Sequence, residues 1–209
     1  MTNNIRDLVI LVPDKDIEAT MIGLLTRTAS LNIRPIDAQI YTHPERDPGC
    51  YNSSADFLRP FSTFFDYAMV VFDRHGCGHE DLEREAIETT VSSKLAVSGW
   101  QGRNEVVVLD PEIEIWVWSD SPWVQRILGW DETISNMRDW LEEKNYLNSG
   151  DNKPIAPKEA LEETLRYLKR PKSPSLFLDL ATQISLNRCT DSSFNKFRST
   201  MSHWFTVEG

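Results

Sequence analysis

Several absences narrow what this chain can be. Its 209 residues include three cysteines, Cys50, Cys77 and Cys189, an odd number without framework spacing, so a disulfide scaffold is not expected. No run approaches the roughly 18 apolar residues that a membrane helix requires. The opening segment, Met1-Thr2-Asn3-Asn4-Ile5-Arg6-Asp7, lacks the long apolar core of a signal peptide. A cytoplasmic protein is the expectation. Basic residues are in the minority: 22 Lys+Arg against 32 Asp+Glu give a formal charge of −10. That balance disfavours a chain that grips nucleic acid alone through a broad basic face. Neither a Walker-type phosphate loop nor a Gly-x-Gly-x-x-Gly after a strand occurs, which argues against a P-loop ATPase and an ordinary dinucleotide enzyme.

What is present describes a globular protein. Hydrophobic residues make up 40% and charged residues 26%, and the length is ample for a real core. The charge is uneven: residues 1–150 hold 13 basic and 25 acidic side chains, residues 151–209 hold 9 and 7. Short β-branched runs, Leu8-Val9-Ile10-Leu11-Val12, Val70-Val71-Phe72 and Val106-Val107-Val108-Leu109, read as strands buried on both faces, and Ile33 to Tyr41 as another. Helical patterns follow them: Ile17, Met21, Leu24 and Leu25; Ser53 to Phe65 with a Phe57/Phe61/Phe64 stripe interrupted at Pro60; Glu80 to Leu95; and a helix with Pro111 in its first turn. Strands alternating with helices imply a mostly parallel sheet covered on both faces, with ligands beyond its carboxyl edge. After Trp130 the pattern is helical, with candidates at 132–144, 157–169, 175–186 and 192–205. The loop Asn148-Ser149-Gly150-Asp151-Asn152-Lys153-Pro154 divides an α/β body, 1–148, from a helical extension, 149–209, expected to pack on it.

Carboxylates recur where strands end: Asp14, Asp16 and Glu18 after the first, Asp73 after the Val70–Phe72 run, and Asp110, Glu112 and Glu114 after Leu109. Converging carboxylates repel unless a cation intervenes, and hard oxygen ligands suit Mg²⁺ or Mn²⁺. The competing explanation is helix capping, which Asp14, Asp16 and Glu112 could each provide. His75, Cys77 and His79 alternate in a glycine-loosened loop, but His75-x₃-His79 supplies only half of a zinc spacing. Cys77 is the one candidate thiol nucleophile, with nothing to fix its geometry. Trp116 reads as core; Trp118, Trp123 or Trp130 could serve an interface, with core the expectation for most of them. Arg166, Lys169, Arg170 and Lys172 read as a solvated helix end.

Together these segments carry a resemblance. Leu11-Val12-Pro13-Asp14-Lys15-Asp16, Ile33-Arg34-Pro35-Ile36, Val70-Val71-Phe72-Asp73-Arg74-His75-Gly76, Pro111-Glu112-Ile113-Glu114-Ile115-Trp116, Pro157-Lys158-Glu159-Ala160-Leu161 and Ile184-Ser185-Leu186-Asn187-Arg188-Cys189-Thr190 resemble the Toprim-like family of bacterial anti-phage loci. Within it the chain is most similar to the small Toprim-like subunit of the methylation-associated defence system. The resemblance implies an α/β fold, a Toprim-like mostly parallel sheet flanked by helices with a C-terminal helical extension. It also implies partners among other defence subunits such as an ATPase, nucleic acid reached only through a partner complex, no membrane, and room for a homo-oligomer. Toprim enzymes use a Glu after the first strand and an Asp-x-Asp after a later one to hold Mg²⁺ for phosphodiester chemistry. Here the Glu site falls at Pro13, leaving Asp14 or Glu18 to substitute, and the second Asp is His75. Asp14, Glu18, Asp73 and Glu112 are thus the implied metal ligands, and Asp73, His75, Glu112 and Glu114 the implied catalytic set. The resemblance implies either a non-catalytic binding or regulatory subunit with a degenerate site, or a divalent-metal-dependent nuclease acting on DNA or RNA.

Overall fold

A computed structural model describes residues 5–131, 133 and 135–207; Met1–Asn4 of the opening segment and Glu132, the expected start of a helix, lie outside them. The body runs β1 (Arg6–Val12), α1 (Lys15–Leu25), α2 (Thr28–Leu31), β2 (Ala38–Thr42), α3 (Arg46–Asn52), α4 (Ser54–Leu58), β3 (Phe65–Asp73), α5 (Arg84–Leu95) and β4 (Asn104–Leu109). Six helices follow: α6 (Glu114–Val117), α7 (Pro122–Leu128), α8 (Met137–Glu143), α9 (Pro157–Tyr167), α10 (Pro174–Gln183) and α11 (Ser192–Trp204). The four strands form one sheet in the order β2-β1-β3-β4, and every neighbouring pair is parallel. The expected α/β class, a parallel sheet flanked by helices with a helical C-terminal extension, is therefore observed, and it is consistent with a Toprim-like fold.

Alternation along each strand explains the layers. Leu8, Ile10 and Val12 of β1, with Met69, Val71, Val107 and Leu109, face a core shared with α1, α10 and α11. Val9 and Leu11, with Val70, Phe72, Val106 and Val108, face a second core under α3, α4 and α5. The first of these cores runs without interruption from Leu8 to Phe205, so the extension and the body bury their apolar surfaces in each other. Tryptophan indoles tie the two parts by hydrogen bonds. Trp116 Nε1 donates to Ser193 Oγ at 2.7 Å, and Trp118 Nε1 donates to the Pro157 carbonyl at 2.8 Å. Trp116, Trp118 and Trp130 are buried, as expected for most of the cluster, and Trp123 is 41% exposed.

Other expectations shift for identifiable reasons. The second strand begins at Ala38, because Asn32 closes α2 in a left-handed conformation (φ 57°) and the Ile33 and Arg34 amides donate to Thr28 and Phe205 rather than to β1. The Ser53–Phe65 helix breaks after Leu58, and Pro60 sits in a 3₁₀ turn, Arg59–Phe61. Phe57 and Phe61 pack on the second core while Phe64 is half exposed. Glu80 does not start a helix: its Oε1 accepts the amides of Gly76 and Gly78, both at positive φ, and α5 begins at Arg84. Pro111 follows a cis peptide bond instead of opening a helix, and α6 starts at Glu114. Among the described residues no helix is long and apolar enough to cross a membrane.

α1 and α10 meet at close range because Gly23 has no side chain. A Cβ there would stand 2.7 Å from Ala181 Cβ and 3.0 Å from the Leu178 carbonyl oxygen. Gly23→Val should therefore lower unfolding stability by about 1–3 kcal/mol. Urea denaturation measures this; an unchanged midpoint would mean that α1 and α10 separate at no cost.

Candidate functional site

The carboxyl ends of all four parallel strands open on one edge, and acidic side chains gather there. Asp14 caps α1, its Oδ1 accepting the Asp16 and Ile17 amides at 3.0 Å. Asp73 ends β3 and its Oδ1 accepts the Ile113 amide at 2.9 Å, which draws the segment after β4 back over β3. Buried Glu112 and Glu114 follow on that segment. The sequence reading missed one member, Asp47. It sits in the first turn of α3, after β2, and its Oδ1 accepts the Asp73 amide at 2.9 Å. The strand-end rule that found the other acids applies equally to β2, so the signal was there.

Glu112 and Glu114 each have a cation from the C-terminal extension. Lys172 Nζ donates to Glu114 Oε1 at 2.5 Å and stands 3.7 Å from Asp16 Oδ2. Lys158 Nζ lies 3.2 Å from Glu112 Oε2, while His75 Nδ1 reaches Glu112 Oε1 at 2.6 Å. Lys172 is thus part of the edge, not the solvated helix end expected of it. Burial disfavours its charge, but the Glu114 bond and the charges of Glu114 and Asp16 outweigh this and raise its pKa. Lys158 behaves the same way toward Glu112.

Among the described residues Asp47 and Asp73 have no such cation. Burial, then the charges of Asp14 and Glu112, push Asp47 up to about 6 against the donation from the Asp73 amide. Burial and the charges of Asp47, Glu114, Asp14 and Glu112 push Asp73 well above the usual carboxylate range. Asp16 also rises, from burial first, with Lys172 opposing. Behind them the Cys50 thiol is pushed up by burial and then by Asp47, Asp14 and Asp73, which keeps it protonated and unreactive.

The remaining candidates lie apart from this group. Glu18 pairs with Lys15 and accepts from Thr42 Oγ1 at 3.3 Å. Asp110 pairs with Arg74 at 3.2 Å. Cys77 is fully buried, and His79 stacks on Tyr51 with ring centroids 3.9 Å apart, so the loop's three zinc candidates point to different surroundings. Among the described residues no three His, Cys, Asp or Glu side chains are gathered closely enough to hold a metal ion. The implied set does not fit a divalent ion as it stands: Asp14 is capping a helix, Asp73 holds a backbone amide, and Glu112 and Glu114 hold lysines.

Two measurements probe this electrostatic arrangement. Lys172→Met leaves Glu114 buried without its cation and should cost about 3–5 kcal/mol. Adding Glu114→Gln should restore much of that stability. Equal losses in the single and double variants would assign the role of Lys172 to packing on Phe177 instead of to charge. For Asp47, a folded pKa raised from 3.8 to about 6 means that its favourable contribution is complete below pH 4 and is lost as pH rises through 6. Asp47→Asn keeps an oxygen for the Asp73 amide and should stabilise the protein at neutral pH by up to about 3 kcal/mol. The melting temperature should also lose part of its decline over that pH range; an unaltered pH profile would mean that Asp47 does not titrate there. No family model matches this chain, and no match was found among curated proteins or solved structures.

Proposed function

We propose that the chain is a non-catalytic binding or regulatory subunit of a bacterial anti-phage defence system, built on a Toprim-like scaffold whose metal site has degenerated. One observation carries this reading. Glu112 and Glu114, the acids that would belong to such a site, are held by Lys158 and Lys172 of the same chain. In the fold an internal ammonium faces each of these carboxylates, by a hydrogen bond at Glu114 and as an ion pair at Glu112, whereas a catalytic edge needs them available to a dissociable ion. The family resemblance supplies the defence context, an ATPase among the partners, and nucleic acid reached through that complex. The net charge of −10 supports dependence on a partner for any contact with nucleic acid.

A second reading is a divalent-metal-dependent phosphodiesterase, with Mg²⁺ or Mn²⁺ as cofactor. What favours it is the Asp47–Asp73 pair, whose mutual repulsion has no internal cation to relieve it. Both readings place the chain in the cytoplasm.

The readings part in a reconstituted complex with the neighbouring ATPase subunit. Under the first, Asp73→Asn should assemble normally and leave phage protection and any nuclease activity unchanged. Abolished nuclease activity in an intact complex would overturn it. Calorimetry with Mg²⁺ and Mn²⁺ on wild type and on Asp73→Ala with Glu112→Ala adds a check without activity: saturable heat lost in the double variant would favour the second reading.

A further inference from the structure

Away from the acidic edge, the chain folds a hollow of opposite character. It encloses about 230 Å³ between the turn that follows α6, helices α7 and α8, and the linker before α9. Its floor is apolar, formed by Trp118, Val124, Met137, Leu141 and Leu147, all buried. Its mouth carries Arg138, Arg188, Asn152 and Gln125. A second hollow of about 210 Å³ adjoins it, sharing Trp118, Asp120, Asn152 and Arg188 and adding Lys153 and Thr190.

The cations at this mouth are held by weak or neutral acceptors. Arg138 donates to the Asp151 carbonyl and has no carboxylate partner among the described residues. Arg188 donates to the Asp120 carbonyl at 2.8 Å, with the exposed Asp120 carboxylate at 3.8 Å. Lys153 Nζ donates to the Ile115 carbonyl at 2.6 Å, with Asp191 at 3.8 Å. Three cationic side chains therefore line the joined hollows against one carboxylate, Asp120. On the same wall the buried Ser119 hydroxyl has no hydrogen-bond partner in the fold, although buried hydroxyls are nearly always satisfied.

We propose that this hollow binds a small phosphomonoester with an apolar or aromatic body, of the size of a nucleoside monophosphate. A concave site with an apolar floor and polar groups that converge at its mouth is a common form of small-molecule site. Guanidinium forks match the paired oxygens of a phosphate, and a dianion suits three cations better than a carboxylate does. The planar body lies over the apolar floor. Arg188 comes from the C-terminal extension, and the floor comes from the body, so occupancy also ties the two together. The site is separate from the acidic edge and independent of the function proposed for it.

The experiment is calorimetric titration of the full chain with the four nucleoside 5′-monophosphates, with adenosine and inorganic phosphate as separate arms. At least one monophosphate should bind saturably at millimolar concentration or below, and more tightly than adenosine or phosphate alone. Arg188→Gln and Arg138→Gln should each weaken that binding roughly tenfold or more, the loss expected of a charge-assisted contact. Arg59→Gln, which lines neither hollow, should leave it unchanged. Thermal melts establish that each variant is folded, and either arginine variant suffices if the other is not. Absence of saturable binding by all four overturns the proposal, as does binding insensitive to the folded arginine variants. Equal affinity for adenosine overturns the anion assignment, and equal affinity for phosphate overturns the role of the apolar floor.

Discussion

The organisation of this molecule depends on the repulsion among carboxylates gathered at one edge of a parallel sheet. Four parallel strands deliver their carboxyl ends, and hence Asp14, Asp47, Asp73, Glu112 and Glu114, to the same side. Such a set is unfavourable when partly dehydrated unless each charge is countered or protonated. The chain uses both solutions. Lys158 and Lys172 counter Glu112 and Glu114, while Asp47 and Asp73 hold their protons more tightly.

The same constraint explains why the charge is divided as it is. The body alone carries a large acidic excess, and the extension brings lysines to its acids. A third, Lys196 of α11, meets Glu88 at 3.0 Å and Glu105 at 2.9 Å, and donates to the Val106 carbonyl of β4. Glu88 in turn accepts the Val108 amide. Those contacts occupy polar groups along the outer edge of β4, which would otherwise be open to pairing with another strand. The extension is therefore an electrostatic complement as well as an apolar cover, which accounts for a core shared from Leu8 to Phe205.

Much of the fold was legible because it rests on local pattern. Continuous apolar runs identified β1, β3 and β4, and capping residues and proline marked helix starts, as at Asp14 for α1 and Pro157 for α9. What escaped depended on long-range partners. The late start of β2 follows from the Arg34 amide donating to Phe205, and the pinned segment around Pro111 from Asp73 accepting the Ile113 amide. At the site, strand-end position alone identified Asp14, Asp73, Glu112 and Glu114. The neutralising lysines could not be read that way, because Glu114 and Lys172 are far apart in sequence and resemble ordinary surface charges. His75 was recognised as a substitution in an Asp-x-Asp pattern, but only the folded chain joins it to Glu112.

Lysine and metal cannot be independent occupants of this edge. Any divalent ion using Glu112 or Glu114 must compete with an ammonium already beside it, so its apparent affinity is the intrinsic affinity multiplied by the fraction of molecules in which the lysine has moved away. That fraction is small, because withdrawing Lys172 leaves Glu114 buried and charged. A partner that drew the extension aside would pay the same electrostatic cost before any metal could bind. An ion confined to Asp47 and Asp73 would avoid this competition, but it would then have neither Glu112 nor Glu114 as a ligand. The geometry thus sets any metal bound at Glu112 or Glu114 against the integrity of the extension.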